Sequence, residues 1–229
     1  LIARRISVPA LPGGAAPPSF DRPVDPYSAQ ETTQPGQCDP VAKPGVLMFR
    51  KWALEDSDQG PIYLGYRLGH IKNETRVFRA VVYNKGAAVL HMLRNLLGDE
   101  RFFNGLRQFY GDQKFQKAGT DDFQRAMETA AGQSLQRFFD RWIRGSDIPT
   151  LRYSTRIQPD GVFVQFDQDP AAIFDVPVTV TLAFGDGHTQ NVVIPVTEAH
   201  VERLIPAAGV VRDVDINRDS AALARLDEQ

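Results

Sequence analysis

The stretch "VVYNKGAAVLHMLRNLLGDERFFNGLRQFY", residues 81–110, decides the fold of the helical part of the chain. Its apolar residues recur at helical spacing, which predicts one amphipathic helix from about Phe78 to Leu97. The predicted stripe is Val82, Val89, Leu90, Leu93, Leu96 and Leu97. A glycine and an aspartate at 98–99 predict its end. A second helix, from about 99 to 111, is expected to bury Phe102, Phe103, Leu106, Phe109 and Tyr110.

Three more helices are predicted around this stretch. A short one covers "VLMFRKWALED", residues 46–56. Another begins with Thr120 as its N-cap, ends at Gly132 and buries Phe123, Met127 and Ala130. The last runs from Ser134 to Gly145 and buries Leu135, Phe138, Phe139, Trp142 and Ile143. Because the connections are short, neighbouring helices are expected to pack roughly antiparallel.

The hydrophobic period changes from 3.6 to 2 at Ile148 and Pro149. Six segments between residues 151 and 217 then alternate apolar and polar residues, and Pro159–Gly161 and Gly185–Gly187 carry hairpin signals. This pattern predicts a small antiparallel β-sandwich. The fold class is therefore α+β, with a helical bundle followed by a sandwich.

The ends of the chain have different compositions. Residues 1–46 hold nine of the sixteen prolines, and the prolines within residues 9–26 exclude a helix there, so an arm or linker is predicted. Residues 60–71 are punctuated by glycine and predict a loop with one short strand. The predicted division is an arm (1–46), a helical subdomain (47–149), a sandwich (150–217) and a polar tail (218–229). A helix is one option for the polar tail.

Tyr83, Lys85 and Gly86 break the helical pattern at its start. One interpretation places the tyrosine ring in the core, with its hydroxyl reaching water. The alternative is that the phenol is a hydrogen-bond donor aimed into a cleft, with Gly86 allowing another segment to approach. The residues alone leave both open.

The order of several motifs resembles the M1 (gluzincin) family of zinc aminopeptidases. The matching features are Tyr-x-Lys-Gly-Ala from Tyr83, "LGDERF" at 97–102, "TDDF" at 120–123 and "FDRW" at 139–142 running into Gly145 and Pro149. The last element departs slightly from the family's Gly-x-Pro, because three residues separate its glycine and proline. The resemblance covers about residues 46–155, and the β-rich region fits the sandwich that follows the catalytic domain in the family.

The resemblance implies a fold, an activity and one site residue. The helices would be the later half of a thermolysin-like catalytic domain, and the activity would be removal of N-terminal residues from peptides. In the family, the tyrosine of this motif donates a hydrogen bond to the oxyanion of the tetrahedral intermediate, which places that role on Tyr83. Lys85 is expected to pair with a carboxylate and Gly86 to serve packing.

The family's zinc ligands are not found in this sequence. It has no His-Glu-x-x-His, its four histidines are far apart, and Cys38 is its only cysteine. We therefore expect no metal site in this chain, zinc in the full-length parent, and no hydrolysis by the chain alone. The sequence also begins without Met, so we expect a fragment or a processed product.

Two other interpretations remain open. The chain is either a non-catalytic M1-like scaffold that binds proteins, or a degenerate product whose exposed face is covered by its arm or by self-association. In the peptidase interpretation the parent's partner is a peptide substrate, and the chain forms a homodimer or pairs with its N-terminal half. A net charge of −2 gives no sign of nucleic-acid binding, and no apolar run is long enough for a membrane span.

Overall fold

The computed structural model describes residues 44–64 and 75–229. The predicted arm therefore lies outside the described residues, apart from its last three. The described residues fall within one compact unit, in which helices precede two β-sheets. This arrangement confirms the predicted α+β class.

Five helices occur in the described part of the chain. The first is α1 (Pro44–Glu55), and short 3₁₀ turns follow at Ser57–Gln59 and Ile62–Leu64. Helix α2 runs without a break through an α segment (Thr75–Phe78), a π segment (Arg79–Lys85) and a second α segment (Gly86–Leu97). The others are α3 (Asp99–Gln113), α4 (Thr120–Ala131) and α5, which has an α turn (Gln136–Phe139) and a π turn (Asp140–Arg144). The strand predicted within 60–71 is absent at 62–64, and most of that segment lies outside the described residues.

The helix ends follow local chemistry more closely than the hydrophobic pattern. Gly98 ends α2 with a φ of +78°, a region open to glycine. The N-cap of α4 is Gly119 rather than Thr120, and the Gly119 N–H donates to Asp122 Oδ2 at 2.8 Å. The N-cap of α5 is Leu135, and Ser134 lies one residue before it, where its Oγ accepts a hydrogen bond from Gln136 N at 3.3 Å. The N-cap prediction for α4 was therefore wrong by one residue.

Helices α3 and α4 pack closely because of a glycine that the pattern did not single out. A Cβ on Gly105 would lie 2.6 Å from Met127 Sδ, so a larger residue would force the Met127 side chain to move. Phe103 and Tyr110, which were predicted to face inward, are instead exposed. Only about half of the aromatic stripe on α3 therefore contributes to the core.

The β region forms two sheets. The strands are β1 (Thr150–Gln158), β2 (Gly161–Asp167), β3 (Val176–Phe184), β4 (Thr189–Val196), β5 (His200–Pro206), β6 (Val211–Ile216) and β7 (Arg225–Glu228). One sheet has the order β5-β2-β1-β7 and the other β4-β3-β6. All pairs are antiparallel except β1 with β7. Buried residues of both sheets and of the helices share one hydrophobic cluster.

The C-terminal segment is part of the core and contains no helix. Residues 221–224 are buried, and β7 adds to the edge of the first sheet. Arg50 on α1 donates to the carbonyl oxygens of Ala222 and Ala224 at 3.2 and 2.7 Å. The helical option for this end was wrong, because the backbone groups are satisfied by a neighbouring strand and an arginine.

Candidate functional site

Tyr83 lies on the π segment of α2 with its side chain at the surface. Its exposed fraction is 63%, and its ring meets the Phe78 ring edge-on with the centroids 5.7 Å apart. No hydrogen bond to its hydroxyl is found among the described residues. The interpretation that places this ring in the core is therefore excluded, and the phenol O–H is accessible to a group approaching from outside.

The π segment is the main departure of α2 from the predicted pattern. A π turn contains an extra residue, so it rotates the helix face that follows it, and such turns are frequent at functional sites. Val82 is consequently only half-buried and Leu90 is 42% exposed, while Ala80, Val81 and Met92 are fully buried. Helix α1 packs directly on this segment.

Lys85 lies two residues after Tyr83 and is completely buried. Its ammonium donates to the Gly145 carbonyl oxygen at 3.3 Å. Burial lowers the pKa of Lys85 to about 8, and the charge of Asp147 opposes that shift. The expected ion pair with a carboxylate is not found among the described residues, where a backbone carbonyl takes its place.

The stability of the chain should carry a pH signature of Lys85. Because its pKa is about 8 when folded and 10.5 in its ordinary environment, the unfolded state holds more protons between these values. The burial penalty is therefore fully present below pH 8 and disappears as the pH rises to 10.5. We expect this contribution to raise the free energy of unfolding of the wild type across that window relative to Lys85→Met.

Urea unfolding of both proteins at several pH values checks this prediction. Groups other than Lys85 titrate alike in the two proteins, so the difference between their unfolding free energies isolates the lysine. A difference that stays constant from pH 8 to 10.5 would show that the buried ammonium does not titrate there.

Gly86 does not have the packing role expected for it. No described atom lies within 4 Å of a Cβ built at this position, and its φ of −58° and ψ of −46° are helical. Alanine is favoured over glycine inside a helix by about 0.5–1 kcal/mol. We expect Gly86→Ala to raise the free energy of unfolding by that amount, measured by urea denaturation; a loss of stability would reveal a close neighbour.

Asn84 is a further polar residue at the site that sequence reasoning missed. It lies between Tyr83 and Lys85 in the sequence, and its side chain is buried. Its Nδ2 has no hydrogen-bond partner among the described residues. The burial of Lys85 could have been found from spacing, since it lies four residues from both Val81 and Val89 on the apolar face. Asn84 gives no comparable signal.

The described residues do not provide a zinc site. Within 44–64 and 75–229, no group of three or more His, Cys, Asp or Glu side chains could hold a metal ion. His188 pairs with Asp186, and His200 lies between Asp167 and Glu202, whose hydrogen bonds raise the pKa of the imidazole. The donor set that a catalytic zinc needs is thus not available from these residues.

Comparison with known proteins identifies the helical region. Residues 49–142 match the family model described as "Peptidase family M1 domain". The match covers 94 of the 229 residues, and it includes the motifs from Tyr83 to Trp142 that resemble the M1 family. In the described part of the chain, no helix is long and apolar enough to cross a membrane.

Several of the similar proteins are named as aminopeptidases. The chain is 32% identical over 130 residues to glutamyl aminopeptidase from Bos taurus, covering 57% of this chain and 13% of that protein. It is 36% identical over 78 residues to aminopeptidase A from Gloydius brevicauda, covering 34% of this chain and 8% of that protein. The structure resembles Legionella pneumophila aminopeptidase A bound to aspartic acid, with a TM-score of 0.57, 18% identity and coverage of 67% of this chain and 18% of that one. The chain thus spans a small fraction of the relatives it matches.

Proposed function

We propose that this chain is the C-terminal portion of an M1-type zinc metallopeptidase that removes N-terminal residues from peptides. One observation supports this proposal above the others. The motif tyrosine, Tyr83, presents its side chain at the surface of a segment that matches the M1 domain, rather than burying it. A donor in this position can reach a substrate held by another part of a larger protein.

The chemistry assigned to this chain is stabilisation of an oxyanion. When a peptide carbonyl is attacked, negative charge develops on its oxygen, and a fixed phenol O–H can donate a hydrogen bond to that oxygen. In the proposed parent, zinc would supply the activated water, and the described residues do not fit that metal. Tyr83 alone cannot generate a nucleophile, and the 229-residue chain is expected to be inactive by itself.

The test compares the full-length product of the gene with this chain alone. Both are assayed against a panel of aminoacyl 4-nitroanilides, with bound zinc measured by elemental analysis. We expect zinc and turnover in the full-length protein and neither in the 229-residue chain. Zinc-dependent turnover by the chain alone would contradict the division of the site, and a zinc-loaded full-length protein without turnover on any substrate would favour the scaffold alternative.

A further inference from the structure

The buried Lys85 ammonium connects two parts of the fold that are distant in sequence. It belongs to the π segment of α2, and its acceptor, the Gly145 carbonyl oxygen, lies 60 residues later at the end of α5. A completely buried lysine is uncommon, because desolvating an ammonium costs free energy unless a partner compensates. The position therefore points to a role beyond filling space.

The loop that accepts this hydrogen bond is itself tightly fixed. A Cβ on Gly145 would lie 2.7 Å from the Arg141 carbonyl oxygen, so the backbone turns too closely there for a larger residue. Next to it, the Ser146 carbonyl oxygen accepts a hydrogen bond from Ser57 Oγ at 2.6 Å. The acceptor of Lys85 therefore belongs to an anchor, the Gly145–Ser146 backbone, which combines a tight turn with a hydrogen bond from Ser57.

The same anchor is joined to the β-sandwich through α5. Trp142 is fully buried on the last turn of this helix, and its Nε1–H donates to the Asp175 carbonyl oxygen at 3.1 Å. Its ring also meets the Phe174 ring edge-on, with the centroids 4.9 Å apart. A continuous set of contacts therefore runs from the segment just before β3 to the π segment that carries Tyr83.

Lys85 and Tyr83 lie on opposite sides of the same helical turn. One side chain is fully buried and the other is 63% exposed, although only Asn84 separates them in the chain. Fixing the buried side chain fixes the rotation of the turn about the helix axis, and that rotation sets where the exposed phenol points. This control of the rotation is important in a π segment, because the hydrogen-bond pattern of a π-helix is less regular than that of an α-helix.

We propose that Lys85 is a positioning residue, which holds the Tyr83 hydroxyl in place by tying the π segment of α2 to Gly145. This inference rests on the proposed function, in which Tyr83 donates to the oxyanion. Lys85 does not touch the substrate in this scheme and acts only through Tyr83. Its removal should therefore reduce kcat while KM changes little.

A double-mutant cycle in the full-length protein tests the proposal. Lys85→Met is expected to lower kcat by roughly 10- to 100-fold, the size of effect produced by a misplaced catalytic group. In a Tyr83→Phe background the same change should have less than about a twofold effect, because residues acting as a unit are not additive. Lys114→Met, at an exposed lysine on the same chain, is the matched control and should leave kcat unchanged.

The outcomes separate this inference from the proposed function. If Tyr83→Phe leaves kcat unchanged, the oxyanion role that the proposed function gives Tyr83 fails, whatever Lys85 does. If Tyr83→Phe lowers kcat but Lys85→Met has the same effect in both backgrounds, the positioning role is overturned and the function stands. Lys85→Gln is the second variant: its shorter side chain still ends in a donor, so it should retain more turnover than Lys85→Met, and equal losses would count against the hydrogen bond.

A measurement on the 229-residue chain needs no activity. Incorporating 3-fluorotyrosine gives a ¹⁹F NMR resonance for Tyr83, which Tyr83→Phe assigns by its disappearance. We expect Lys85→Met to shift or broaden this resonance and Lys114→Met to leave it unchanged. A Tyr83 resonance that is identical in the wild type and in a folded Lys85→Met protein would overturn the proposal.

Discussion

Tyr83→Phe is expected to lower kcat of the full-length, zinc-loaded protein by about 10²–10³, the typical effect of removing one donor to an oxyanion. The substitution removes a single oxygen atom and keeps the ring that meets Phe78. The lost hydrogen bond forms only as charge develops on the substrate, so kcat and kcat/KM should fall together while KM stays nearly constant. Steady-state kinetics on one good aminoacyl 4-nitroanilide measure all three quantities.

The exposure of Tyr83 allows an effect of this substitution on activity to be distinguished from an effect on stability. Because its side chain is largely exposed, the free energy of unfolding should change by less than about 0.5 kcal/mol. Tyr110→Phe is the matched control, since Tyr110 is 71% exposed on α3 and has no proposed role. Bound zinc should be equal in all three proteins. A Tyr83→Phe enzyme with wild-type kcat would remove Tyr83 from the mechanism, whereas equal losses in both variants would point to a general effect of tyrosine substitution.

Most helices and strands were predictable because the apolar residues within each of them recur at a single spacing. Apolar residues spaced for a helix predicted the helices between residues 78 and 145, and strict alternation predicted six of the seven strands to within a residue or two. Glycine-containing turns fixed the hairpins, as the pairing of Gln158 with Gly161 across the β1–β2 turn confirms. These features depend on local sequence, so no knowledge of distant contacts was needed.

The π segment could not be predicted, and it changed which residues of α2 are buried. A helical pattern assumes 3.6 residues per turn throughout, and nothing in "RAVVYNK" marks a wider turn. The pattern therefore placed Leu90 on the buried stripe and overlooked Met92. Within this wider turn Tyr83 is exposed and Lys85 is buried. This difference in burial is the feature on which the proposed site depends.

The missed strand β7 depends on contacts far apart in sequence. "RLDE" is polar, and only its parallel pairing with β1, about 75 residues earlier, makes it a strand. The alanine-rich segment at 221–224 is buried against the helices, where Met92 Sδ accepts a hydrogen bond from Leu223 N at 3.3 Å. Single-sequence patterns do not contain this information. The likeness of the segment around Tyr83 to the M1 motif, by contrast, was visible in the sequence. The order and spacing of several short motifs indicated it.

The largest expected effect on stability is that of Trp142→Ala. Trp142 is fully buried between α5 and the sandwich, its ring contacts Phe138 and Phe174, and its Nε1–H donates to the Asp175 carbonyl oxygen. Truncating a buried tryptophan to alanine typically costs about 3–5 kcal/mol, and here it also leaves a backbone acceptor without its donor. Since domains are stable by only about 5–15 kcal/mol, this is a large share of the total.

Urea denaturation followed by far-UV circular dichroism measures this loss in the 229-residue chain. Phe115→Ala is the matched control, because that side chain is fully exposed, and it should change the free energy of unfolding by less than about 0.5 kcal/mol. Trp142→Phe keeps an aromatic ring but not the hydrogen bond, so its cost should lie between the two. Because helices and strands share one hydrophobic cluster, the loss should appear as a shift of a single transition. A Trp142→Ala protein that unfolds in two separate steps would show instead that the helices and the sandwich are stabilised independently, and the connection from the sandwich to Lys85 would then lose its support.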